Sequence, residues 1–527
     1  MKLINFLDQA FYLNETEKRP LHIGALLELA PPRGFRGDLG KHVIDTMLAR
    51  PVGPPFNYRL LNGPGGIPLG YDIDPNVDPG SQIQFHALPQ PADRRALFDA
   101  VCAIHETHLD RSKPLWELHV FEGLTNGHIG LFIKVHHGLI DGLGFIERFK
   151  RVVSESPTDR GGHAFWEDFE APAQARDETD QNFASALAGH AIRAAIGVSG
   201  NLLGAGAMAT RMLMRGAGTG SGMTIPFAHT PDTLKSRASR HRSFGHCVLD
   251  LATAKRVAKA GGGKVNDVLL TTLDMAVSRY ASERGDPPQQ PLVAIMPVAL
   301  TTRDNAGNKL ALLPVPLGRP DRPPGEKFRD IVRETGRVKH EVRSVPALAL
   351  EMYSVLTHTT ATVIEGLGLD ELPMLGNMNV SNPYGLTRRV YYDGCPIELA
   401  IPFAPIGHHQ TVNIIATTYA DDLHVTFTAI REALPDIQRV ADYTVAALRE
   451  LESDLVGDED RMPGTRAKSP RKRTAAKRNA SARPAASDRS PGKGVSAASA
   501  QMPDFKHRRI GPDATRLRRA ERGPEHD

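Results

Sequence analysis

The stretch KVHHGLIDGLG, residues 134–144, places two adjacent histidines, a glycine turn and a carboxylate within one short span. That combination suits proton transfer. A general base for an alcohol must titrate near neutral pH and stand at the end of a rigid element, and histidine is the natural residue for it. His136 and His137 close an expected strand, and successive strand residues point to opposite faces. Only one of the two can easily face a given cleft. Asp141 lies past His137, across a turn carrying Gly138 and Gly142. It either fixes that turn or holds a ring tautomer directly, and the sequence leaves both open. Two histidines and an aspartate also invite a metal reading, but a catalytic zinc site wants three protein ligands and no HExxH partner is present. No metal is expected. A pair of structurally satisfied histidines is the blander alternative.

The elements that position this stretch read as mixed α/β. LHIGALLELA (21–30) reads as a first strand, ended by Pro31-Pro32. Residues 91–109 have helical spacing, with Asp93 near the start. LWELHVFEGL (115–124) and HIGLFIKVHH (128–137) read as strands joined by Thr125-Asn126-Gly127, whose Asn-Gly is a strong hairpin signal. A helix is expected over 145–153. Residues 181–215 are apolar, rich in small residues and poor in charge, and read as a crossover helix pair, with a lid or membrane-surface helix as the sharper reading. A second α/β block spans 241–450. HCVLDLATAKRVAKAGGG (246–263) gives a strand, a helix and a glycine stop, and Val265–Tyr280 gives a buried helix. PLVAIMPVAL (291–300) reads as a strand buried on both faces. Further strands are expected at 376–381, 411–419 and 422–430, and a last helix at 436–454.

Composition narrows the function classes. From Arg461 onward there are 18 Lys+Arg against 6 Asp+Glu, while the first 460 residues hold 46 and 54. The basic character belongs to a tail, so no specific nucleic-acid partner is expected. Residues 459–527 have almost no large apolar side chains and are read as disordered. Cys102, Cys247 and Cys395 form no CxxC pair, which fits a reducing, cytoplasmic setting. No apolar run of about 18 residues is present and the N-terminus does not read as a signal peptide. Gly261-Gly262-Gly263-Lys264 lacks P-loop spacing, and neither GHIGLF nor GLGFIE completes a dinucleotide fingerprint. ATPase and dehydrogenase readings are set aside.

The chain resembles the bacterial wax ester synthase/acyl-CoA:diacylglycerol acyltransferase family, within the CoA-dependent acyltransferases related to chloramphenicol acetyltransferase. The signature HHxxxDG is met by His136-His137-Gly138-Leu139-Ile140-Asp141-Gly142. Other blocks match in order: LDQAFYLNETEKRPLHIGALLEL (7–29), Pro114-Leu115-Trp116, Asn266-Asp267 and MPVALTTRDNAGNKLALLPVPL (296–317). The similarity covers about residues 3–455. It implies a two-domain α/β fold like that of chloramphenicol acetyltransferase, with the active site in a channel between the domains. The expected organisation is an N-terminal domain at 1–160, crossover helices and linker at 161–240, a C-terminal domain at 241–458 and the tail at 459–527. By position, His137 would be the base and Asp141 would hold the loop around it. Pro114, Leu115 and Trp116 would help shape the channel wall, although Trp116 reads equally as a packed strand residue. Asn266 and Asp267 would sit near the cleft in the second domain. Where the family often shows Asn-Val-Pro-Gly-Pro, this chain has NMNVSNPYG (377–385). Asn379, Ser381 and Asn382 are the candidates there for an oxyanion donor, and Gly142 stands with the channel or oxyanion candidates. His408-His409 is a second pair without a following Asp, read as a loop feature lining the cleft.

The reaction so implied is acyl transfer from long-chain acyl-CoA to diacylglycerol, giving triacylglycerol, with fatty alcohols as further acceptors. Acyl-CoA is a co-substrate and no resident cofactor is expected. The competing readings are a same-fold acyltransferase with another acceptor or a carrier-bound donor, and a non-catalytic lipid-binding protein. The 181–215 segment and the basic tail are the candidates for peripheral contact with the inner membrane, a lipid droplet or lipid inclusions. The plainer reading of the tail is a solvated segment with no specific partner.

Overall fold

The computed structural model describes residues 2–4, 6–169, 230–300, 309–344, 350, 361–368, 376–383 and 385–457. The 181–215 segment and the basic tail lie outside the described residues.

The Asn-Gly turn joins strand β6 (Trp116–Leu124) to β7 (Ile129–His136), with Gly127 at φ 73°. Asn126 fixes the turn by accepting from the His128 backbone N–H at 3.0 Å. Every residue of β7 is buried, so both of its faces are covered. It runs antiparallel between β6 and β2 (His22–Leu29), in the order β12 (Tyr391–Tyr392), β13 (Cys395–Phe403), β2, β7, β6, β5 (Ile83–Ala92). The register pairs His22 with His136 and Trp116 with Val135. One face of this sheet packs under helix α3 (Arg94–His105) through Leu26, Phe132 and Leu97. Asp93 caps α3 by accepting from Ala96 N–H at 3.0 Å, a bond whose loss costs about 1 kcal/mol. The other face meets helices α2 (Leu39–Leu48) and α4 (Gly142–Val152) in a core that includes Leu27, Val43, Val135 and Phe149. Helix α1 (Phe6–Asn14) and a small sheet of β1 (Lys2–Leu3), β4 (Pro68–Ile73) and β3 (Tyr58–Asn62) complete this part of the chain.

A second six-stranded sheet runs β10 (Lys309–Pro316), β9 (Val293–Leu300), β11 (Met378–Ser381), β14 (Val412–Tyr419), β15 (Asp422–Ile430), β8 (Arg242–Asp250). Its residues alternate with the period-2 geometry of strands. Met378, Val380, Ile414, Ala416, Val425 and Phe427 share a core with helices α5 (Leu251–Gly261), α6 (Val265–Glu283), α7 (Pro324–Ser344) and α8 (Gln438–Val456). The intervening positions, among them Asn379, Asn413, His424 and Thr426, therefore occupy the opposite face, which is markedly more polar. Helix α5 stops at Gly262 in the left-handed conformation, φ 74°, as its glycine run predicts.

The second half of the chain also contributes to the first sheet: β12 and β13 join it, with β13 antiparallel to β2 and Phe403 opposite Gly24. The apolar positions of β13 (Ile397, Leu399, Ile401, Phe403) are buried in alternation, and β2 offers the free edge that pairs with them. The 291–300 strand is buried throughout only over residues 292–295, and Met296, Pro297 and Val298 are half-buried.

Candidate active site

His136 ends β7 and His137 opens the turn after it, and the two rings meet different surroundings. The ring of His136 is 1% exposed and stacks on Tyr12, with centroids 4.3 Å apart and 3° between planes. Its Nδ1 accepts from the Gly138 N–H at 3.1 Å, so the proton of the neutral ring sits on Nε2, which faces Glu15 Oε1 at 3.5 Å. His136 thereby holds the turn through Nδ1, and its Nε2 is buried beside the Glu15 carboxylate without a hydrogen bond of its own. The ring of His137 stacks on Phe11, with centroids 4.0 Å apart, and the residue is half-buried. Its Nδ1 is buried and without a hydrogen-bond partner. Burial pushes the His137 pKa down to about 4, opposed by its own backbone carbonyl and by the charge of Asp141. At neutral pH the ring is a neutral imidazole. With Nδ1 buried, Nε2 is the nitrogen left for proton transfer, its lone pair available in the Nδ1–H tautomer.

Asp141 resolves the choice the sequence left open. It is the N-cap of α4, accepting from Gly144 N–H at 2.6 Å, and so fixes the turn rather than gripping the ring. Gly142, the first residue of α4, is exposed, with open space where a side chain would be. Gly138 is the reverse: a Cβ there would stand 2.5 Å from the Tyr12 ring and 2.9 Å from the Asp8 carbonyl oxygen. Helix α1 can approach the turn after β7 only because this residue is glycine. Tyr71 donates to Gly138 O at 2.8 Å, and Tyr12 meets the Tyr71 hydroxyl at 2.9 Å.

Phe11, Tyr12, Glu15 and Tyr71 escaped the sequence reading. Three of them lie in the block LDQAFYLNETEK, but nothing local ties that block to a turn more than 100 residues later. Glu15 joins several parts of the site. Its Oε1 accepts from Leu21 N–H at 3.0 Å, Leu21 O in turn accepts from His137 N–H at 3.0 Å, and its Oε2 pairs with Arg111 at 2.8 Å. Burial opposes its ionisation, but hydrogen bonds from His108 and His136 outweigh it and hold the carboxyl well below its ordinary range.

The remaining sequence candidates separate. Leu115 is 1% exposed and Trp116 wholly buried, stacked on Trp166 and donating to Phe56 O at 2.9 Å. Pro114 is buried too, its carbonyl accepting from Gln82. The three pack behind the His136–His137 turn, with Leu115 O accepting from His136 N–H at 3.0 Å. The reason is the β6–β7 register, which turns Trp116 into the core with Val135. Asp267 accepts from Lys264 N–H and from Thr335, both at 2.8 Å, and so closes the start of α6 and pins it to α7. Asn266 is partly buried in that same first turn. The expectation that this pair sits at the cleft gives way, for Asp267, to a role in the helical layer. Asn379 and Ser381 lie half-buried on the polar face of the second sheet, and Asn382 is exposed beyond the strand end. Asn379 Oδ1 accepts from Gln410 Nε2 at 2.9 Å. His408 and His409 are both buried, in the loop between β13 and β14.

Two mixed six-stranded sheets, with a strand pair crossing from the second half of the chain into the first sheet, define a two-sheet α/β fold shared with condensation domains. The first condensation domain of the calcium-dependent antibiotic synthetase shares the fold, with a TM-score of 0.51 at 19% identity over 86% of this chain and 96% of that one. The wax ester synthase/diacylglycerol acyltransferase catalytic domain matches residues 4–269, and the C-terminal domain of the same family matches residues 306–452. The chain belongs to the wax ester synthase/diacylglycerol acyltransferase family. It is 32% identical to a putative diacylglycerol O-acyltransferase of Mycobacterium tuberculosis, over 86% of this chain and 99% of that protein. It is 29% identical to the probable diacylglycerol O-acyltransferase Tgs4 of the same species, over 86% and 97% of the two chains. The wax ester synthase/diacylglycerol acyltransferase of Marinobacter aquaeolei VT8 superposes with a TM-score of 0.65 at 25% identity, over 86% of this chain and all of that one. Among the described residues, no helix is long and apolar enough to cross a membrane.

Proposed function

We propose that this enzyme transfers a long-chain acyl group from acyl-CoA to the free hydroxyl of diacylglycerol, forming triacylglycerol, and accepts fatty alcohols as a second class of acceptor. The observation that carries the reading is the state of His137: a neutral ring, clamped by Phe11, whose Nδ1 is buried. His137 Nε2 takes the hydroxyl proton as the acceptor oxygen attacks the thioester carbonyl. A tetrahedral oxyanion forms, the carbon–sulfur bond breaks, and the imidazolium returns the proton to the departing CoA thiolate. The thioester is already activated, so the step uses acyl-CoA as co-substrate and no resident cofactor. Of the three oxyanion candidates, Asn379 is favoured, because Gln410 holds its amide oxygen and leaves the NH2 end to donate. Loss of such a donor costs about 3–4 kcal/mol.

Because diacylglycerol resides in lipid, the proposal includes peripheral contact with a membrane or droplet surface. Flotation with vesicles, with and without residues 460–527, tests the tail's part, and unchanged binding removes it. The reaction is tested with labelled palmitoyl-CoA and purified enzyme, offering diacylglycerol, monoacylglycerol and hexadecanol side by side. Labelled triacylglycerol is expected. Absence of ester from every acceptor would overturn the reading.

A further inference from the structure

Arg19 and Glu365 are 346 positions apart and meet in the interior. Arg19 is 1% exposed, and its Nη2 stands 2.7 Å from Glu365 Oε2, with Nε also donating to the carboxylate. The same carboxylate accepts from His408 Nδ1 at 2.9 Å and from His409 N–H at 3.0 Å. Its partners lead in two directions. On one side lies the segment that carries the base. Arg19 closes a turn with Thr16, two residues before Leu21, whose carbonyl receives the His137 N–H. His408 Nε2 reaches Asn14 O at 2.5 Å, at the end of the helix whose Phe11 covers the His137 ring. On the other side lies the second sheet. Arg19 Nη1 donates to Gln410 O at 2.9 Å, and Gln410 holds the Asn379 amide.

We infer that the Arg19–Glu365 pair is a positioning device that fixes His137 against the polar face of the second sheet. The inference rests on the acyl-transfer reading for its kinetic arm only. Neither residue is placed on the reacting atoms. A buried ion pair is weak evidence for stability, because apolar residues of similar volume commonly do as well. What it supplies is direction: the guanidinium fork accepts one carboxylate geometry, and that carboxylate also orients the 408–410 loop. The two sides of the site are thereby held in one register, and a misplacement of about 1 Å between base and partner groups costs as much as 100-fold in rate.

The test uses the full chain with Glu365→Gln and with the paired replacement Arg19→Met/Glu365→Leu. Glu365→Gln is expected to lower kcat about 10- to 100-fold with KM for palmitoyl-CoA little changed. The apolar pair is expected to match the wild type in thermal melting and still show the low kcat, which a merely structural pair would not. If Glu365→Gln fails to fold, the paired variant decides. Carbethoxylation of His137, followed by mass spectrometry, reads the base without turnover, and its rate is expected to change in both variants. Wild-type kcat in the paired variant, or an unchanged labelling rate in both, overturns the inference. If the wild type makes no ester, the proposed reaction falls and the labelling arm still decides the positioning role.

Discussion

The imidazole of His137 lies nearly flat on the ring of Phe11, with 13° between their planes. One residue earlier, His136 lies flat on Tyr12. Adjacent residues of one helix thus cover adjacent residues of one strand end, and they hold the two histidines in separate environments. His136 spends its Nδ1 on the turn, whereas no backbone group of the turn is bonded to the ring of His137, the base of the proposed reaction.

That division predicts unequal effects. His137→Ala is expected to lower kcat about 100- to 10,000-fold, the usual contribution of a general base, with unchanged far-UV circular dichroism. His136→Ala should cost mainly stability, about 1–3 kcal/mol for the Gly138 N–H left without its acceptor, and less in kcat. Equal losses of kcat in two folded proteins would contradict the assignment of the base.

Glycine is required at one position of the signature and not at another. Gly138→Ala should clash with Tyr12 and the Asp8 carbonyl and cost about 1–3 kcal/mol or more in chemical denaturation. Gly142→Ala enters open space in the first turn of α4 and should leave stability within about 0.5 kcal/mol. Similar denaturation midpoints for the two variants would count against the close approach of α1.

Asp141 acts through its cap. Asp141→Ala should cost about 0.5–2 kcal/mol and weaken the turn. Asp141→Asn retains a capping oxygen and should retain most of the activity. Removing the negative charge also removes a force that raises the His137 pKa, so the acid limb of the rate profile should move to lower pH. An acid limb that moves up would refute this sign.

Acid should destabilise the fold well before its carboxylates titrate. Burial lowers His137 to about 4 and His246 to about 3, and it holds His22 and His105 well below their ordinary value. The unfolded chain binds these protons near pH ~6.5, whereas the folded chain does not. Stability is therefore full above pH ~6.5 and declines as pH falls toward 4. Glu365, held at about 2 against burial by its hydrogen bonds from His408 and Arg19 and the Arg19 charge, extends the loss below the ordinary glutamate range. Thermal melts at intervals from pH 8 to pH 4.5 should be level at first and then fall. A melting temperature unchanged between pH 7 and pH 5 would rule this out.

The sequence by itself determined the chemistry-bearing turn, the hairpin leading to it and the elements with a clear period. These follow from local rules: Asn-Gly reverses the chain, alternation marks β14 and β15, and the glycine after α5 ends it. The signature also placed the candidate base, His137, just past a strand end. Tertiary structure alone decided what surrounds the two histidine rings, because Phe11, Tyr12 and Glu15 come from far off in the chain. It also sent β13 into the first sheet, turned Trp116 into the core and joined Arg19 to Glu365. No window of neighbouring residues encodes these contacts. They form where surfaces meet after the sheets have assembled, so their information resides in packing and register rather than in spacing along the chain.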